Sequence, residues 1–574
     1  MQSLTGAQAI VRVLAAESVA FAFGVVGGKL APLLHAIAAE PRIRFVGTRH
    51  EAAAPMMAAA VNAGSGGVAV ALGEMGPGGL NLASGIGVAL ANHLPLVAIT
   101  SNQHRAASYP HSGMFMDLDT RAVMAPLTRW NAVVHDPRRI PELVRRAFRE
   151  ALSGRPGPVH LDIPQDVLAA KCDVSDDEFA VEPGRYRVLH GPRPAAEDVA
   201  AAADLLRGAV RPLIVAGGGG VASAAEARIQ ALAKRLRAPV VPTQMALGVV
   251  PSDSPSFIGH GGLIAGDPVR RAFAEADVIV AVGCRFSSWL WDEHGPFARR
   301  HQAVVGINTD AGALGNPVMH RVAMVADARR ALDDLLAELG AAPTATADDW
   351  LPGLRELRRR YEARFVEMSN EADPVMHPAA LGRAIADTLP PDALAVYDGG
   401  HTTFWSNDLT PVRAVRTRFH DPGMSQLGFG LPYALALQLL HPKRTVVNIT
   451  GDGSFGFTLS ELDTARRYRL PVITLIHNNG AWGIIRAGQR GQLDFELATD
   501  LEGTDYAAIA RGFGCHGEVV TAATEVAPAF ERARASGLPA VIDCRTRFVP
   551  HPAMPHFGSM NRFGFDALTR SGNP

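Results

Sequence analysis

The stretch Arg444–Trp482, RTVVNITGDGSFGFTLSELDTARRYRLPVITLIHNNGAW, reads as strand, glycine turn, helix, strand. Thr445 to Thr450 is a short, mostly β-branched run with charge before it and glycine after it, as in a strand buried on both faces. Thr458-Leu-Ser-Glu461 fits a capping box and predicts a helix through Arg469. Pro471 ends that helix, and Val472 to His477 supplies the second strand. A right-handed βαβ crossover then brings Gly451-Asp452-Gly453 and Asn478-Asn479 together at the carboxyl edge of adjacent parallel strands, where α/β sheets bind ligands.

Two glycines flanking an aspartate let backbone N–H groups approach an anion, while Asp452 sets a hard oxygen ligand beside it. A divalent cation is the natural bridge. The amide oxygen of Asn479 extends an oxygen-only sphere that suits Mg²⁺ shared with a diphosphate. Gly451, Gly453 and Gly456 also satisfy the dinucleotide fingerprint G-x-G-x-x-G. Against that alternative, the second strand ends in Asn-Asn where a ribose-binding acid is expected, and the fingerprint has no use for Asp452.

At these residues the chain resembles the thiamine-diphosphate-dependent family that includes acetohydroxyacid synthase, pyruvate decarboxylase, benzoylformate decarboxylase and the 2-hydroxyacyl-CoA lyases. GDG followed by NN, with 27 residues from Asp452 to Asn479, is that family's metal–diphosphate signature. The resemblance implies that Asp452, Asn479 and the carbonyl of Ala481 hold Mg²⁺. It also implies that Gly451, Gly453, Ser454, Asn479, Trp482, Gly483 and Ile484 contact the cofactor.

At 574 residues the chain exceeds a single core and predicts about three domains. Formal net charge is −1, so nothing steers it toward nucleic acid or an anionic membrane. The start lacks a basic n-region and no uncharged apolar run approaches bilayer length, so no membrane partner is expected. Cys172, Cys284, Cys515 and Cys544 are scattered without C-x-x-C spacing. They read as packing residues in a reducing, cytoplasmic compartment.

Residues 1–172 alternate apolar runs (20–26, 44–47, 68–72, 96–100 and 159–163) with glycine turns and alanine-rich stretches, which predicts a doubly wound parallel sheet. Glu51 follows Arg49-His50 and precedes a small-residue helix from Ala52. Read alone, it is an acid complementing a helix dipole. With Gly76-Pro77-Gly78 and Asn81-Leu-Ala-Ser-Gly-Ile-Gly behind it, the segment resembles the family's pyrimidine-binding domain, where this glutamate contacts N1′ of the aminopyrimidine. A glutamate shielded from water has a raised pKa and can share a proton with N1′, creating the 4′-imino form that acts as base. Gly28, at the turn after the first of these strands, joins Glu51 as a catalytic candidate. The loop around Asn102–Arg105 and Pro110–Asp117 lines the reaction pocket in relatives. His104 and His111 are accordingly candidate proton shuttles, His111 the preferred one, with solvated loop histidines as the plain alternative. Phe115-Met116-Asp117 stands where acetohydroxyacid synthases have Phe-Gln-Glu, which removes a polar amide from the pocket.

Cys172 to Pro194 is polar and proline-containing, a linker. Residues 191–340 read as a second doubly wound domain, with strands near 212–215, 239–242, 276–283 and 304–308. In relatives this domain is empty or holds FAD or an adenine nucleotide such as ADP; Gly217–Gly220 either cradles a phosphate or makes a flexible turn. Arg285–Trp291 is aromatic at a strand end and either reaches the active site or covers the domain.

The last domain spans residues 374–548. By resemblance Gly400, His401 and Thr402 bind phosphate, with ordinary loop caps as the alternative. Leu427, between glycines, occupies the family's position for a wedge between the cofactor's two rings, and the Ser425 carbonyl accepts from the 4′-amine. Gly488 stands where acetohydroxyacid synthases carry the tryptophan that selects the acceptor 2-oxo acid, and Ile484 and Ile485 make this wall apolar. The tail, 549–574, is rich in proline, histidine and methionine and cannot be a regular helix or a central strand. It is either a lid that offers Arg562 to a carboxylate or phosphate, or a disordered end.

The expectation is therefore an α/β protein of three doubly wound parallel-sheet domains: pyrimidine-binding, central and diphosphate-binding. In relatives the two cofactor halves come from different subunits, so a homodimer or homotetramer is expected. The implied activity on a small-molecule substrate is carboligation or decarboxylation of a 2-oxo acid through a C2 carbanion and enamine, acetolactate-synthase-like. The alternatives are cleavage or formation of a 2-hydroxyacyl-CoA and a non-catalytic cofactor-binding homologue.

Overall fold

The computed structural model describes residues 2–554 apart from 109, 110, 263, 288, 289, 291–301, 316, 342, 372 and 494. In the first domain β1 (Gln2–Thr5) precedes β2 (Phe21–Gly24), β3 (Arg44–Gly47), β4 (Val70–Gly73), β5 (Val97–Asn102), β6 (Trp130–Val133), β7 (Val159–Pro164) and β8 (Lys171–Val174). Six of these make a parallel sheet in the order β3-β2-β4-β5-β7-β6, and β1 pairs antiparallel with β8. Every residue of β5 and β7 is buried because helices cover both faces.

The central sheet runs β10-β9-β11-β12-β13, all parallel, from β9 (Pro212–Ala216), β10 (Val240–Pro242), β11 (Val278–Val282), β12 (Ala303–Asn308) and β13 (Val322–Val325). The last sheet, also parallel, runs β15-β14-β16-β17-β19-β18. Its strands are β14 (Leu394–Tyr397), β15 (Arg418–Phe419), β16 (Val446–Gly451), β17 (Ile473–Asn478), β18 (His516–Val520) and β19 (Ala540–Arg545). In the β16–β17 pair Gly451 stands opposite His477, so both strands end at one edge, as the βαβ pattern predicts.

The crossover itself departs from expectation. Two helices, Asp452–Gly456 and Glu461–Tyr468, replace the single one, and the capping box at Thr458–Glu461 does not form. The Thr458 hydroxyl instead donates to the Gly428 carbonyl at 2.6 Å, and the Glu461 carboxylate accepts from the N–H groups of Arg49 and His50, both at 3.0 Å. Partners distant in sequence win over the local ones.

The first and last domains share one core. Helix Ala53–Ser65 lies along helix Gly430–Leu440, and Met56, Ala60, Ala434 and Leu437 belong to the same buried cluster. A side chain on Gly64 would come within 2.7 Å of Leu437, so the small residues are what let the helices approach. No helix among the described residues is long and apolar enough to cross a membrane.

Candidate active site

Asp452 opens the short helix after β16, and Asn479 follows β17. Their side-chain oxygens converge: the Ala481 N–H lies 3.2 Å from Asp452 Oδ2 and 3.1 Å from Asn479 Oδ1. The Gly453 N–H donates to Asp452 Oδ1 at 3.0 Å, and the Tyr506 hydroxyl donates to the Asp452 carbonyl at 2.9 Å. Burial pushes the Asp452 carboxyl up to about 6. Backbone N–H groups of Gly453, Ala481 and Gly480 offset part of that burial. Among the described residues no group of three or more His, Cys, Asp or Glu side chains could hold a metal. This edge offers one carboxylate, one amide oxygen and backbone carbonyls, a hard donor set suited to Mg²⁺.

Glycines make the surrounding cradle. A side chain on Gly453 would meet the Trp482 ring at 2.5 Å, one on Gly400 would meet Ile484 at 2.9 Å, and one on Gly451 would meet Thr402 Oγ1 at 3.2 Å. One on Gly483 would lie 3.1 Å from both Asn479 Nδ2 and His401 Nδ1, and Ser454 Oγ stands 2.9 Å from the same position on Gly399. The ends of β14, β16 and β17 thus bring together Gly400, His401, Thr402, Gly451, Gly453, Ser454, Asn479, Trp482, Gly483 and Ile484. His401 is buried, and among the described residues neither ring nitrogen has a hydrogen-bond partner. Burial pushes its imidazole down to about 3, so it is neutral. A neutral ring with an unused donor and acceptor at a glycine-lined edge fits a phosphate-bearing cofactor.

Asp398 was not singled out in the sequence, although it precedes two glycines at a strand end. It is buried and accepts the N–H groups of Gly428 and Gly430, both at 3.1 Å, together with a hydrogen bond from Ser454. Burial pushes its carboxyl up to about 7. It ties the loop carrying Ser425 and Leu427 to the end of β14. Ser425 has a φ of 53°, and Leu427 is half-buried.

Glu51 is half-buried ahead of helix Ala53–Ser65, with Oε2 accepting from Asn81 Nδ2 at 3.0 Å. Asn81 lies near the start of helix Pro77–Asn92. The other end of that helix meets the Ser425 loop of the same chain: the Gly423 N–H donates to Asn92 Oδ1 at 3.1 Å, and a side chain on Gly87 would meet Met424 at 3.1 Å. At 1.5 Å per residue, Asn81 and Asn92 are about 16 Å apart along the axis. Glu51 therefore bonds near the start of this helix, while its own chain's Ser425 loop contacts it from Gly87 to Asn92, toward the other end.

The loop after β5 packs on the turn that precedes this helix, since a side chain on Gly76 would meet the Met116 carbonyl at 2.7 Å. His111 Nδ1 pairs with the Asp117 carboxylate, which also accepts the Gly113 N–H at 2.9 Å. That hydrogen bond from His111 holds the Asp117 carboxyl below the usual range. The sequence placed both residues in the loop but did not pair them. His104 is half-buried just before the short helix Arg105–Ser108, its carbonyl accepting from the Ser108 hydroxyl at 3.2 Å. Gly28 faces open space, and the following Lys29 and Leu30 N–H groups donate to Glu74 at 2.8 and 3.4 Å.

Among the described residues, nothing lies within 4 Å of where a side chain on Gly488, in helix Gly483–Leu493, would begin. Beyond β19 the chain folds back over the last domain. The Phe548 ring lies 6.0 Å from that of His401, and His551 packs edge-on against Trp405 at 4.6 Å with Nε2 3.1 Å from the Asp408 carboxylate. Arg562 lies outside the described residues, as do Ser288, Trp289 and Trp291 of the aromatic segment.

A cavity of about 380 Å³ opens at the carboxyl edge of β9, β11 and β12, between the three domains. Gly217, Gly218 and Gly219 form one wall, and Arg155, Arg285, Arg416 and Arg418 also line it. No Asp or Glu is among the described lining residues.

Comparison with known proteins agrees along the whole chain. Residues 4–123 match the thiamine pyrophosphate enzyme N-terminal TPP binding domain, residues 199–335 the central domain, and residues 398–544 the C-terminal TPP binding domain. A probable acetolactate synthase large subunit of Methanocaldococcus jannaschii is 30% identical, over 94% of this chain and 91% of its own. A probable 2-ketoarginine decarboxylase of Pseudomonas aeruginosa is 35% identical, over 90% and 89%. The acetolactate synthase large subunit of Corynebacterium glutamicum is 30% identical, over 94% and 87%. The chain belongs to the thiamine pyrophosphate enzyme family, in its acetolactate-synthase-like group.

Proposed function

We propose that this protein uses thiamine diphosphate and Mg²⁺ to act as a carboligase or decarboxylase on a 2-oxo acid. The observation that carries this reading is the convergence of Asp452 and Asn479 beside a buried His401, unpartnered among the described residues, in a cradle of glycines. When bound, thiamine diphosphate supplies a nucleophilic carbon and an electron sink for the bond next to the substrate carbonyl. Asp452, Asn479 and the Ala481 carbonyl hold Mg²⁺, and Gly400, His401, Thr402 and the backbone from Gly451 to Ser454 take the diphosphate. Leu427 packs between the rings, and the Ser425 carbonyl orients the amine. Trp482, Gly483 and Ile484 exclude water from the wall. Glu51 of the partner subunit holds a proton at the pyrimidine N1′. His111, oriented through Nδ1 by Asp117, moves a proton at Nε2.

The separation of Glu51 from its own chain's Ser425 loop along helix Pro77–Asn92 supports a homodimer, or a homotetramer built from such dimers. Large apolar side chains stand exposed on segments flanking both half-sites: Leu80, Phe115, Met424 and Phe457. Such exposure supports the reading that a second copy covers this face.

The space that the described residues leave at Gly488, together with Met116 and Asp117 in the pocket loop, favours decarboxylation over acetolactate formation, in line with the similarity to a probable 2-ketoarginine decarboxylase. The arginine-lined cavity suits an anionic nucleotide, FAD or ADP. Four buried free cysteines suit the cytoplasm.

The test is product analysis. Protein loaded with thiamine diphosphate and Mg²⁺ is offered pyruvate and a panel of 2-oxo acids, one bearing a guanidinium. Acetolactate identifies a ligase; an aldehyde with CO₂ identifies a decarboxylase. No consumption of any 2-oxo acid contradicts both.

A further inference from the structure

Of residues 47–50, which lead from β3 into Glu51, Thr48 donates its N–H to the Gly24 carbonyl of the first domain at 2.9 Å, while Gly47, Arg49 and His50 bond to the last domain. The Gly47 N–H donates to the Tyr468 hydroxyl at 2.7 Å, and Arg467 Nη2 donates to the Gly47 carbonyl at 2.7 Å. Glu461 Oε1 accepts the N–H groups of Arg49 and His50, both at 3.0 Å, and Oε2 accepts the Thr464 hydroxyl at 2.6 Å. All these side chains belong to helix Glu461–Tyr468. Glu461 is 1% exposed, and its buried carboxylate is stabilised by these donors together with the nearby Arg467 charge. The segment is otherwise a short loop off an edge strand, whose backbone groups need partners to hold one pose.

We propose that Glu461 is a positioning residue for catalysis: by fixing the two N–H groups that precede Glu51, it sets the direction in which the Glu51 carboxyl projects toward the neighbouring subunit's cofactor. This rests on the reading of Glu51 given above. Glu461 also lies nine positions after Asp452 on the same crossover. The clamp thus links the metal-binding half of one active site to the activating acid of the other.

The test uses the full chain and four variants: Glu461→Ala, Glu461→Gln, Glu51→Gln and the double variant Glu51→Gln/Glu461→Ala. Glutamine keeps Oε1 as acceptor for both N–H groups, while alanine leaves them unpaired. In cofactor-free protein, amide hydrogen exchange across residues 47–53 is expected to rise roughly tenfold or more in Glu461→Ala and to stay within about threefold of wild type in Glu461→Gln. With thiamine diphosphate and Mg²⁺ bound, exchange of the cofactor C2 proton, followed by NMR, is expected to slow roughly tenfold or more in Glu461→Ala and in Glu51→Gln. The double variant should be no slower than Glu51→Gln, because one residue acts through the other. Should Glu461→Ala misfold, Tyr468→Phe, which removes one acceptor of the same clamp, must still raise exchange at residues 47–50. Normal C2 exchange in Glu461→Ala beside slow exchange in Glu51→Gln overturns the positioning role alone, and so do additive losses in the double variant. Normal C2 exchange in Glu51→Gln overturns the underlying reading.

Discussion

Asp452 and Asn479 stand at the ends of two different strands, yet their side-chain oxygens accept from one and the same backbone N–H, that of Ala481, at 3.2 and 3.1 Å. Sharing one N–H leaves both oxygens with lone pairs to spare, as the proposed cation site requires. Adding thiamine diphosphate with Mg²⁺ should raise the melting temperature of the wild type, because a ligand that binds only the folded state stabilises it. Asp452→Asn keeps an acceptor but removes the charge. It should weaken cofactor binding about 100-fold or more in calorimetric titration, while the melting temperature of the cofactor-free protein does not fall. Equal stabilisation of both proteins by cofactor and Mg²⁺ would falsify the metal assignment.

Asp398 gives a pH signature. Its folded-state value, pushed up to about 7 by burial, lies well above the ordinary carboxylate range. The native state therefore binds the extra proton, and the associated stability is present at low pH and lost as pH rises toward 7. Asp398→Asn removes the titrating group but retains an oxygen for the N–H groups of Gly428 and Gly430. Melting temperatures measured from pH 5 to 8 should converge at the acid end and separate toward neutrality, with the variant above wild type. Parallel curves contradict the buried-acid account.

The glycine cradle can be overfilled. A methyl on Gly400 would lie 2.9 Å from Ile484 Cδ1. Gly400→Ala should cost about 1–3 kcal/mol of stability and weaken cofactor binding. Adding Ile484→Val should recover part of both, as read by denaturant unfolding and calorimetry; a neutral Gly400→Ala shows that the wall is looser than drawn.

Much of this was legible in sequence, and the exceptions have two causes, distant partners and short edge strands. The βαβ unit from Thr445 to Asn479 was readable because β-branched runs, glycines and Pro471 are local signals. Gly451 and Gly453 were readable for the same reason, whereas Gly400 and Gly483 came only from the family resemblance. The capping box failed because Thr458 found the Gly428 carbonyl and Glu461 found Arg49 and His50, partners no local pattern reveals. Asp398 went unremarked because its acceptor role depends on a loop 30 positions away. Edge strands such as β6, half-buried throughout, and β15, two residues long, carry too little periodicity to announce themselves.

The separation of Glu51 from its own chain's Ser425 loop along helix Pro77–Asn92 predicts complementation. Glu51→Gln and Asp452→Ala homodimers should each be inactive. After subunits exchange, mixed dimers hold one intact site each, so about a quarter of all sites should recover. Absence of any recovery, with exchange verified by mass spectrometry, places both residues in one subunit's site.

The most direct measurement is CO₂ release from 2-oxo acids by protein stripped of metal and then reconstituted. The account predicts release only when thiamine diphosphate and Mg²⁺ are both restored, and a loss of about 100-fold or more in Glu51→Gln. Turnover that persists without either one, or a Glu51→Gln protein as fast as wild type, contradicts it.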